Sequence, residues 1–338
     1  MTYQLSLLDK CPVNEGISTT EALHNTIRLA QVAEESGFLR FWVAEHHHSE
    51  NFASSAPEVL GAYLLASTRK IRIGTGGVML QHYSPYKVAE VFNLLSALAP
   101  GRVDIGIGKA PGGLPASTRA LQIEMSDDNR LPFIAKIRLL NQLLGGEISL
   151  DGLFEGIAAT PKSAEKASGF LLGASAESAL LAAELGWQMS YAGHLNGSET
   201  QFLNTLKVYQ EATNGKIPQI ALSVIVSDSQ DEALEKAEDI AIYKVHFANQ
   251  RSFSLPTYES AQAFAEQSGR SDYEIQKQKT QVIAGTVESV SLDLQNLHKT
   301  YGIQEFMLET PTSSFKERVA TVELLGAYHQ RHIAQSLI

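Results

Sequence analysis

Short apolar segments alternate with longer amphipathic segments along most of the chain, and this alternation constrains the fold more than any other feature. In the first third, predicted helices lie between predicted strands. The predicted strands are Tyr3–Leu8, Leu39–Ala44, Ile71–Leu80 and Val103–Gly108, and the predicted helices are Thr20–Ser36, Pro57–Ser67 and Pro85–Leu98. This βαβαβαβ order is typical of a parallel sheet with right-handed crossovers.

The alternation loosens after Lys109 and returns after Gly169. Four further strands are predicted at Phe170–Gly173, Gln188–Ala192, Ile220–Ser227 and Glu305–Glu309. A helical stretch is expected from Asp231 to Tyr243, followed by a polar excursion over 247–275. Eight βα units across 338 residues predict an α/β fold, a TIM (β/α)8 barrel with insertions in the βα loops. We expect one domain over residues 1–338, and a doubly wound open sheet is the alternative.

Composition excludes several classes of protein. An apolar fraction of 44% supplies a sizeable core, and the formal charge of −10 argues against a nucleic-acid surface. No run approaches 18 uninterrupted apolar residues, so we expect no membrane span. The single cysteine, Cys11, excludes an internal disulfide and fits a reducing compartment. The first residues lack a basic region followed by an apolar one, so we expect a cytoplasmic protein.

The densest group of ionisable residues, 45–48 with the sequence Glu-His-His-His, directly follows the second predicted strand. In a barrel, this is the end of the strand where functional residues lie. Strand alternation turns His46 and His48 to one side and Glu45 and His47 to the other. Histidine titrates near neutral pH and suits hydrogen bonding and proton transfer. A metal site would need three or four convergent ligands, and a purely structural role in a loop is the other alternative.

Three further strand ends carry residues suited to a phosphorylated flat ligand. Gly76-Gly77 would let such a ligand approach the backbone closely, or form a tight turn. Lys109 follows the fourth strand, where a cation meets a phosphate or simply faces solvent. Residues 173–179 join a strand to a helix with Ser175 as a predicted N-cap, and a helix N-terminus binds anions. Together these features predict a pocket for a phosphorylated flat cofactor.

Several segments, in this order along the chain, resemble the bacterial-luciferase-like flavin monooxygenases. They are Trp42–His47, Ile73–Leu80, Leu98–Gly108 and Ala176–Ala179, with Tyr301–Leu308 similar to the last strand of the family. The similarity extends over nearly the whole chain. It identifies a superfamily, not a substrate.

The resemblance implies a TIM barrel that binds FMN, received in reduced form from a partner flavin reductase, and that uses O2 to oxidise a small organic metabolite. His46 matches the catalytic histidine of the family. Gly76 and Gly77 match a non-prolyl cis peptide behind the flavin ring. Lys109 stands where the family commonly has arginine, which keeps the charge but loses the bidentate fork. The phosphate loop is matched by Ser175, Glu177 and Ser178.

The resemblance also implies lids and a partner subunit. Residues 110–135 and 247–275 are candidate lids that would shield the oxygen chemistry from water. A homodimer is expected through the second and third helices, which are apolar on more than one face. The alternatives are a deazaflavin (F420)-dependent oxidoreductase, a non-catalytic flavin-binding protein, and a metal-dependent hydrolase. We expect no bound metal.

Overall fold

The computed structural model describes residues 3–125, 130–146, 156–195, 198–238, 240–248 and 252–336. The described residues form the strands β1 Gln4–Asp9, β2 Arg40–Val43, β3 Arg72–Thr75, β4 Val78–Met79, β5 Val103–Gly108, β6 Ser168–Gly173, β7 Gln188–Ala192, β8 Gln219–Val226, β9 Ala241–Phe247, β10 Ser252–Leu255, β11 Tyr273–Lys279, β12 Val282–Gly285 and β13 Glu305–Glu309. The α-helices are α1 Thr19–Glu35, α2 Pro57–Ser67, α3 Pro85–Leu98, α4 Pro115–Leu121, α5 Phe133–Gly145, α6 Ala176–Leu185, α7 Glu199–Ala212, α8 Gln230–Glu238, α9 Tyr258–Gln267, α10 Val287–Tyr301 and α11 Phe315–Ser336.

Eight parallel strands close into a barrel in the order β1, β2, β3, β5, β6, β7, β8 and β13, with β13 returning to β1. The register at the closure pairs Leu7 with Leu308. The predicted TIM barrel is therefore confirmed, and its eight strands are the eight predicted from the sequence. The open sheet, which was the alternative, is excluded by the pairing of β1 with β13.

Three of the helices between the barrel strands, α1, α6 and α10, begin at hydroxyl caps, and α6 and α10 also end at glycines. Ser18, Ser175 and Thr286 each accept a hydrogen bond from the backbone N–H three residues later. Gly186 and Gly302 have φ values of +69° and +73°, which are unfavourable for any residue with a Cβ. These local signals fix where each helix starts and stops, and thus where the following strand enters the barrel.

Two expectations from the sequence are wrong. The helix expected over Asp231–Tyr243 ends at Glu238, and Ala241–Phe247 is the strand β9. The expected polar excursion contains a small sheet of its own, in which β9 pairs antiparallel with β10 and β11 while α9 packs on it. Long-range pairing decides this region, since β11 lies about thirty residues after β9. The expected strand Ile71–Leu80 is interrupted at Gly76–Gly77 and forms β3 and β4.

The barrel interior is filled in layers by alternate residues of each strand, as in other barrels of this kind. The layer at the N-terminal ends of the strands is polar. Arg40 donates to Asp104 at 2.8 Å and to Glu305 at 2.6 and 3.1 Å, and thereby joins β2, β5 and β13 across the interior. Gln219 donates to the same Glu305 at 2.7 Å. Both acidic partners of Arg40 are buried.

An apolar layer covers this polar layer. It consists of Leu8, Trp42, Ala44, Phe170, Ala221 and Met307. The ring of Phe170 lies under the Arg40 guanidinium at 4.8 Å, and Trp42 donates to Asp104 at 3.0 Å. The side chains that follow in the alternation open into the C-terminal mouth of the barrel. None of the described helices is both long and apolar enough to cross a membrane.

Breaking the buried network should cost far more stability than breaking a surface ion pair. Arg40→Leu leaves the buried Glu305 without a cation, while Asp104 keeps Arg72, so we expect it to lower the free energy of unfolding by about 3–5 kcal/mol. The matched control is Arg138→Leu, because Arg138 and Glu184 form an ion pair with about half of each side chain exposed. That change should cost about 1 kcal/mol or less. Urea unfolding measures both, and equal losses would contradict the assignment.

Candidate active site

The mouth of the barrel has a polar half built by five neighbouring strands. We call its residues the polar rim. They are Lys10 after β1, His46 after β2, His194 after β7, Ser223 in β8 and Glu309 at the end of β13. The strand order β7, β8, β13, β1, β2 makes these residues neighbours in space, although nearly 300 residues separate Lys10 from Glu309 in the chain.

A buried ion pair lies in the middle of the polar rim. The Lys10 ammonium contacts one oxygen of the Glu309 carboxylate. Ser223 donates to the other oxygen at 3.5 Å, and Nε2 of His194 lies 4.0 Å from it. Burial alone would raise the pKa of Glu309, but the neighbouring Lys10 outweighs this effect and holds it below its usual value. Glu309 is therefore ionised at neutral pH.

The two histidines of the polar rim are neutral at physiological pH. Burial, with a smaller contribution from the positive charge of Lys10, lowers the pKa of His46 to about 3, although Glu309 opposes the shift. Burial likewise lowers the pKa of His194 to about 4 despite the nearby Glu309. In both rings, Nδ1 is buried and has no hydrogen-bond partner among the described residues. The backbone carbonyl of Ala221 lies near His194 and raises the pKa of that imidazole, but less than burial lowers it.

Local structure holds His46 in place. Its ring stacks on Phe52 at 4.2 Å, and its backbone N–H donates to the Ser54 carbonyl at 2.8 Å. The loop that carries Phe52 is itself tied to the chain leaving β1, because Ala53 donates to Cys11 at 2.9 Å. The orientation of the imidazole is thus fixed by a loop that connects the ends of two barrel strands.

His47 faces away from His46, as strand alternation predicts. Its Nε2 lies 2.7 Å from the buried Glu45 carboxylate, which also accepts from Tyr83 at 2.8 Å and from the Met79 backbone at 3.0 Å. His48, in contrast, is exposed at the start of the loop and has a φ of +51°. We infer that the Glu45–His47 pair supports the loop from outside the barrel.

The positions of the histidines do not support a metal centre. His82 accepts from Gln122 at 2.9 Å and donates to the Pro111 carbonyl at 2.8 Å, in a network separate from His194. Across the described part of the chain, no group of three or more His, Cys, Asp or Glu side chains is placed to hold a metal ion.

The other half of the mouth is lined by glycines. The peptide between Gly76 and Gly77 is cis, as the resemblance implies. A Cβ at Gly76 would lie 2.5 Å from Leu8, and one at Gly77 would lie 2.6 Å from the Gly106 carbonyl oxygen. The packing of the barrel wall therefore requires glycine here whether or not a ligand binds. These two positions therefore add no side chain to the part of the mouth built by β3 and β5.

The predicted phosphate-binding residues lie at neighbouring strand ends. Ile107 of β5 pairs with Leu171 of β6, so the chain leaving β5 at Lys109 runs beside Gly173. Lys109 is exposed. The hydroxyl of Ser175 caps α6 by accepting from the Ser178 N–H at 3.2 Å, and the two serine hydroxyls lie 3.2 Å apart.

The donors at this end of α6 fit a phosphate. Among the described residues, the backbone N–H groups of Ala176 and Glu177 have no acceptor, which is the usual condition of an anion-binding helix N-terminus. The side chain of Glu177 is exposed, so only its backbone suits an anion. This donor set, together with Gly76 and Gly77, fits a phosphorylated flat cofactor, and the role of both in binding one stays a prediction.

The two predicted lid segments touch each other. The Ala116 N–H donates to the Gln267 side chain at 3.0 Å, and Leu114 packs against the apolar cluster of the three-stranded sheet. Residues 126–129 and 249–251 of these segments lie outside the described residues. The contact makes the two insertions one unit beside the barrel, and the lid function stays a prediction.

A cavity of about 480 Å³ lies outside the barrel wall and does not include the polar rim. It is lined by the outward-facing Tyr191 of β7 and by residues of α7 and α10 such as Phe202 and Tyr301. The candidate site is therefore the barrel mouth, where ionisable groups converge.

The comparison with known proteins identifies the family of this chain. The family model described as luciferase-like monooxygenase matches residues 5–326. The chain belongs to the luciferase-like monooxygenase family. It is thus an oxidoreductase of the monooxygenase type, as the resemblance seen in the sequence implied.

Individual relatives agree with this assignment. The chain is 41% identical over 330 residues to the N-acetyl-S-alkylcysteine monooxygenase of Bacillus subtilis (strain 168), covering 96% of this chain and 97% of that protein. The crystal structure of apo-MsnO8 matches with a TM-score of 0.75 and 27% identity, over 97% of this chain and 98% of that one. An FMN complex, of the oxygenating constituent of 3,6-diketocamphane monooxygenase from Pseudomonas putida, shares the fold at 16% identity, with a TM-score of 0.69 and coverage of 96% and 97%.

Sequence reasoning missed the roles of Lys10 and Glu309. The available signal was alternation, because Ser6, Leu8 and Lys10 lie on one face of β1 and its extension, while Glu305, Met307 and Glu309 lie on one face of β13. A charged residue on the inward face of a barrel strand, at its C-terminal end, marks a candidate site.

The neutral histidines predict how stability depends on pH. In the unfolded chain, imidazoles take up protons near pH 6.5, whereas the folded protein keeps His46 and His194 neutral down to about pH 3 and 4. The free energy of unfolding should therefore fall as the pH drops from 6.5 towards 4, by up to about 1.4 kcal/mol per pH unit for each histidine.

His46→Asn and His194→Asn should each reduce this slope, as measured by urea unfolding at pH 6.5, 5.5 and 4.5. His24→Asn, on the exposed surface of α1, is the matched control and should leave the slope unchanged. A wild-type slope in both of the other variants would contradict the burial of neutral imidazoles at the mouth.

Proposed function

We propose that the protein is a two-component FMN-dependent monooxygenase, which receives reduced FMN from a separate NAD(P)H-flavin reductase and oxidises a small organosulfur metabolite. The observation that carries the proposal is the division of one barrel mouth into two parts. On the side built by β3, β5 and β6, the N-terminus of α6 and Lys109 follow neighbouring strands. On the side built by the other strands lies the polar rim with the neutral His46. The Bacillus subtilis relative supports a substrate of the N-acetyl-S-alkylcysteine type.

Each part of the mouth has a task in this proposal. The bound flavin supplies the activation of O2. Lys109, Ser178 and the N-terminal amides of α6 hold the phosphate, while Gly76 and Gly77 leave room for the ring. His46 is neutral, so one ring nitrogen donates a hydrogen bond and the other accepts one; because its pKa is far below neutral, its task in this proposal is to orient and stabilise the reacting groups by hydrogen bonding, and it does not carry a spare proton as an acid. The lid segments exclude water.

Removing the lysine should weaken cofactor binding. A charge-assisted contact between ammonium and phosphate contributes about 1.5–3 kcal/mol, so Lys109→Ala should raise the dissociation constant of reduced FMN by about 10- to 150-fold. Lys109→Arg should retain the affinity. Lys207→Ala, on the exposed surface of α7, is the control. An anaerobic fluorescence titration measures all three, and an unchanged constant for Lys109→Ala removes Lys109 from the site.

Removing the imidazole of His46 should leave FMN binding unchanged and lower the rate of turnover. We expect His46→Ala to fold and bind FMN but to turn over about 10²–10⁴ times more slowly, with the reduced flavin spent on hydrogen peroxide instead of product. His47→Ala is the internal control, because His47 contacts Glu45 outside the barrel and should act through stability. Single-turnover assays quantify product and peroxide together, and a wild-type product yield per flavin in His46→Ala would refute the catalytic role.

We also propose a homodimer formed through α2 and α3. Four large apolar side chains on these helices are exposed, namely Val59, Tyr63, Leu94 and Leu98, with Leu98 72% exposed. A group of large exposed apolar side chains on two neighbouring helices is typical of an interface. Leu98→Glu should convert dimer to monomer in sedimentation velocity at micromolar concentration, while Leu292→Glu on the exposed face of α10 should not. A wild-type protein that sediments only as a monomer would refute the proposal.

A further inference from the structure

The ion pair of the polar rim is asymmetric, and the ammonium is its accessible member. The side chain of Lys10 is 26% exposed, compared with 11% for Glu309. Both oxygens of the Glu309 carboxylate are engaged, one by Lys10 and the other by Ser223 and His194. An ammonium has three donors, and Glu309 is the single acceptor that the described residues offer to Lys10.

We propose that Lys10 binds a carboxylate of the substrate and selects acidic over neutral substrates. This inference rests on the proposed monooxygenase function and assigns one residue of that site to substrate recognition. Glu309, itself held by Ser223, engages one donor of the ammonium, and the remaining donors have no acceptor among the described residues. The substrate would then lie between Lys10 and the glycine-lined wall where the flavin ring is proposed to bind.

Three features favour an anionic group over a cationic one. Glu309 is the less exposed partner, so the field at the entrance comes from the nearer ammonium. His46 and His194 are neutral, so Lys10 is the one cation of the polar rim and the group there that can meet an anion. A carboxylate accepts charge-assisted hydrogen bonds from Lys10, which are stronger than those between neutral groups. Lys109 follows β5, is not part of the polar rim, and is assigned to the phosphate.

The test compares two probes that differ only in charge: N-acetyl-S-methylcysteine and its carboxamide. Isothermal titration calorimetry with the FMN-saturated protein measures both dissociation constants without turnover. The wild type should bind the acid about 10- to 100-fold more tightly than the amide. Because Lys10→Met alone leaves the buried Glu309 without its partner, the decisive variant is Lys10→Met combined with Glu309→Gln, which removes both charges at similar volume.

The double variant should lose the preference by weakening the acid about 10- to 100-fold, with the amide within about twofold of the wild type. Glu309→Gln alone should retain or strengthen the preference for the acid, because it removes only the repelling charge. Lys207→Met on α7 controls for a general loss of positive charge and should behave as the wild type.

Two results would overturn the inference. One is equal binding of acid and amide by the wild type, and the other is a loss of acid binding in Glu309→Gln with the preference retained in the double variant. FMN affinity is measured first for every variant. If FMN fails to bind, the proposed function fails. If FMN binds normally and the probes are not distinguished, only the role of Lys10 fails.

Discussion

The closed barrel depends on the buried hydrogen bonds of the Arg40 side chain. Inside the barrel, its guanidinium joins carboxylates from β5 and β13, and thus ties together strands that lie far apart in the chain. Taking three charges out of water is costly, and only their close mutual hydrogen bonding offsets that cost. The network therefore specifies one closed arrangement of the strands. Closure in turn places β13 beside β1 and creates the polar rim.

The order of the strands determines which residues lie on each side of the mouth. Five consecutive strands contribute the polar rim, and the neighbouring strands contribute glycines, a lysine and the N-terminus of α6. The glycines satisfy the packing of the wall and add no side chains to a mouth that also holds two neutral imidazoles. Membership of the luciferase-like monooxygenase family agrees with this site. In our proposal, the N-terminus of α6 holds the phosphate of the cofactor, and the Lys10–Glu309 ion pair holds the substrate.

Much of the barrel is predictable from the sequence, because each strand is a short apolar run bounded by glycine, proline or a helix cap. Strand alternation also separates His46 from His47 correctly. The segment after α8 is different. Its period-2 pattern at Tyr243, Val245 and Phe247 follows a charged helix, and its partner β11 is mostly polar, so local signals do not reveal the sheet. Lys10 and Glu309 become neighbours only when the barrel closes, which no local pattern encodes.

The central claim, that this mouth uses a reduced flavin and O2 to oxygenate a substrate, is tested most directly by isotope labelling. The purified protein is loaded with photoreduced FMN and N-acetyl-S-methylcysteine and is exposed to ¹⁸O2 for a single turnover. Mass spectrometry then measures the mass of the organic product. The account predicts one ¹⁸O atom in the product. Unlabelled product, or recovery of the label only in peroxide while FMN is bound, would contradict it.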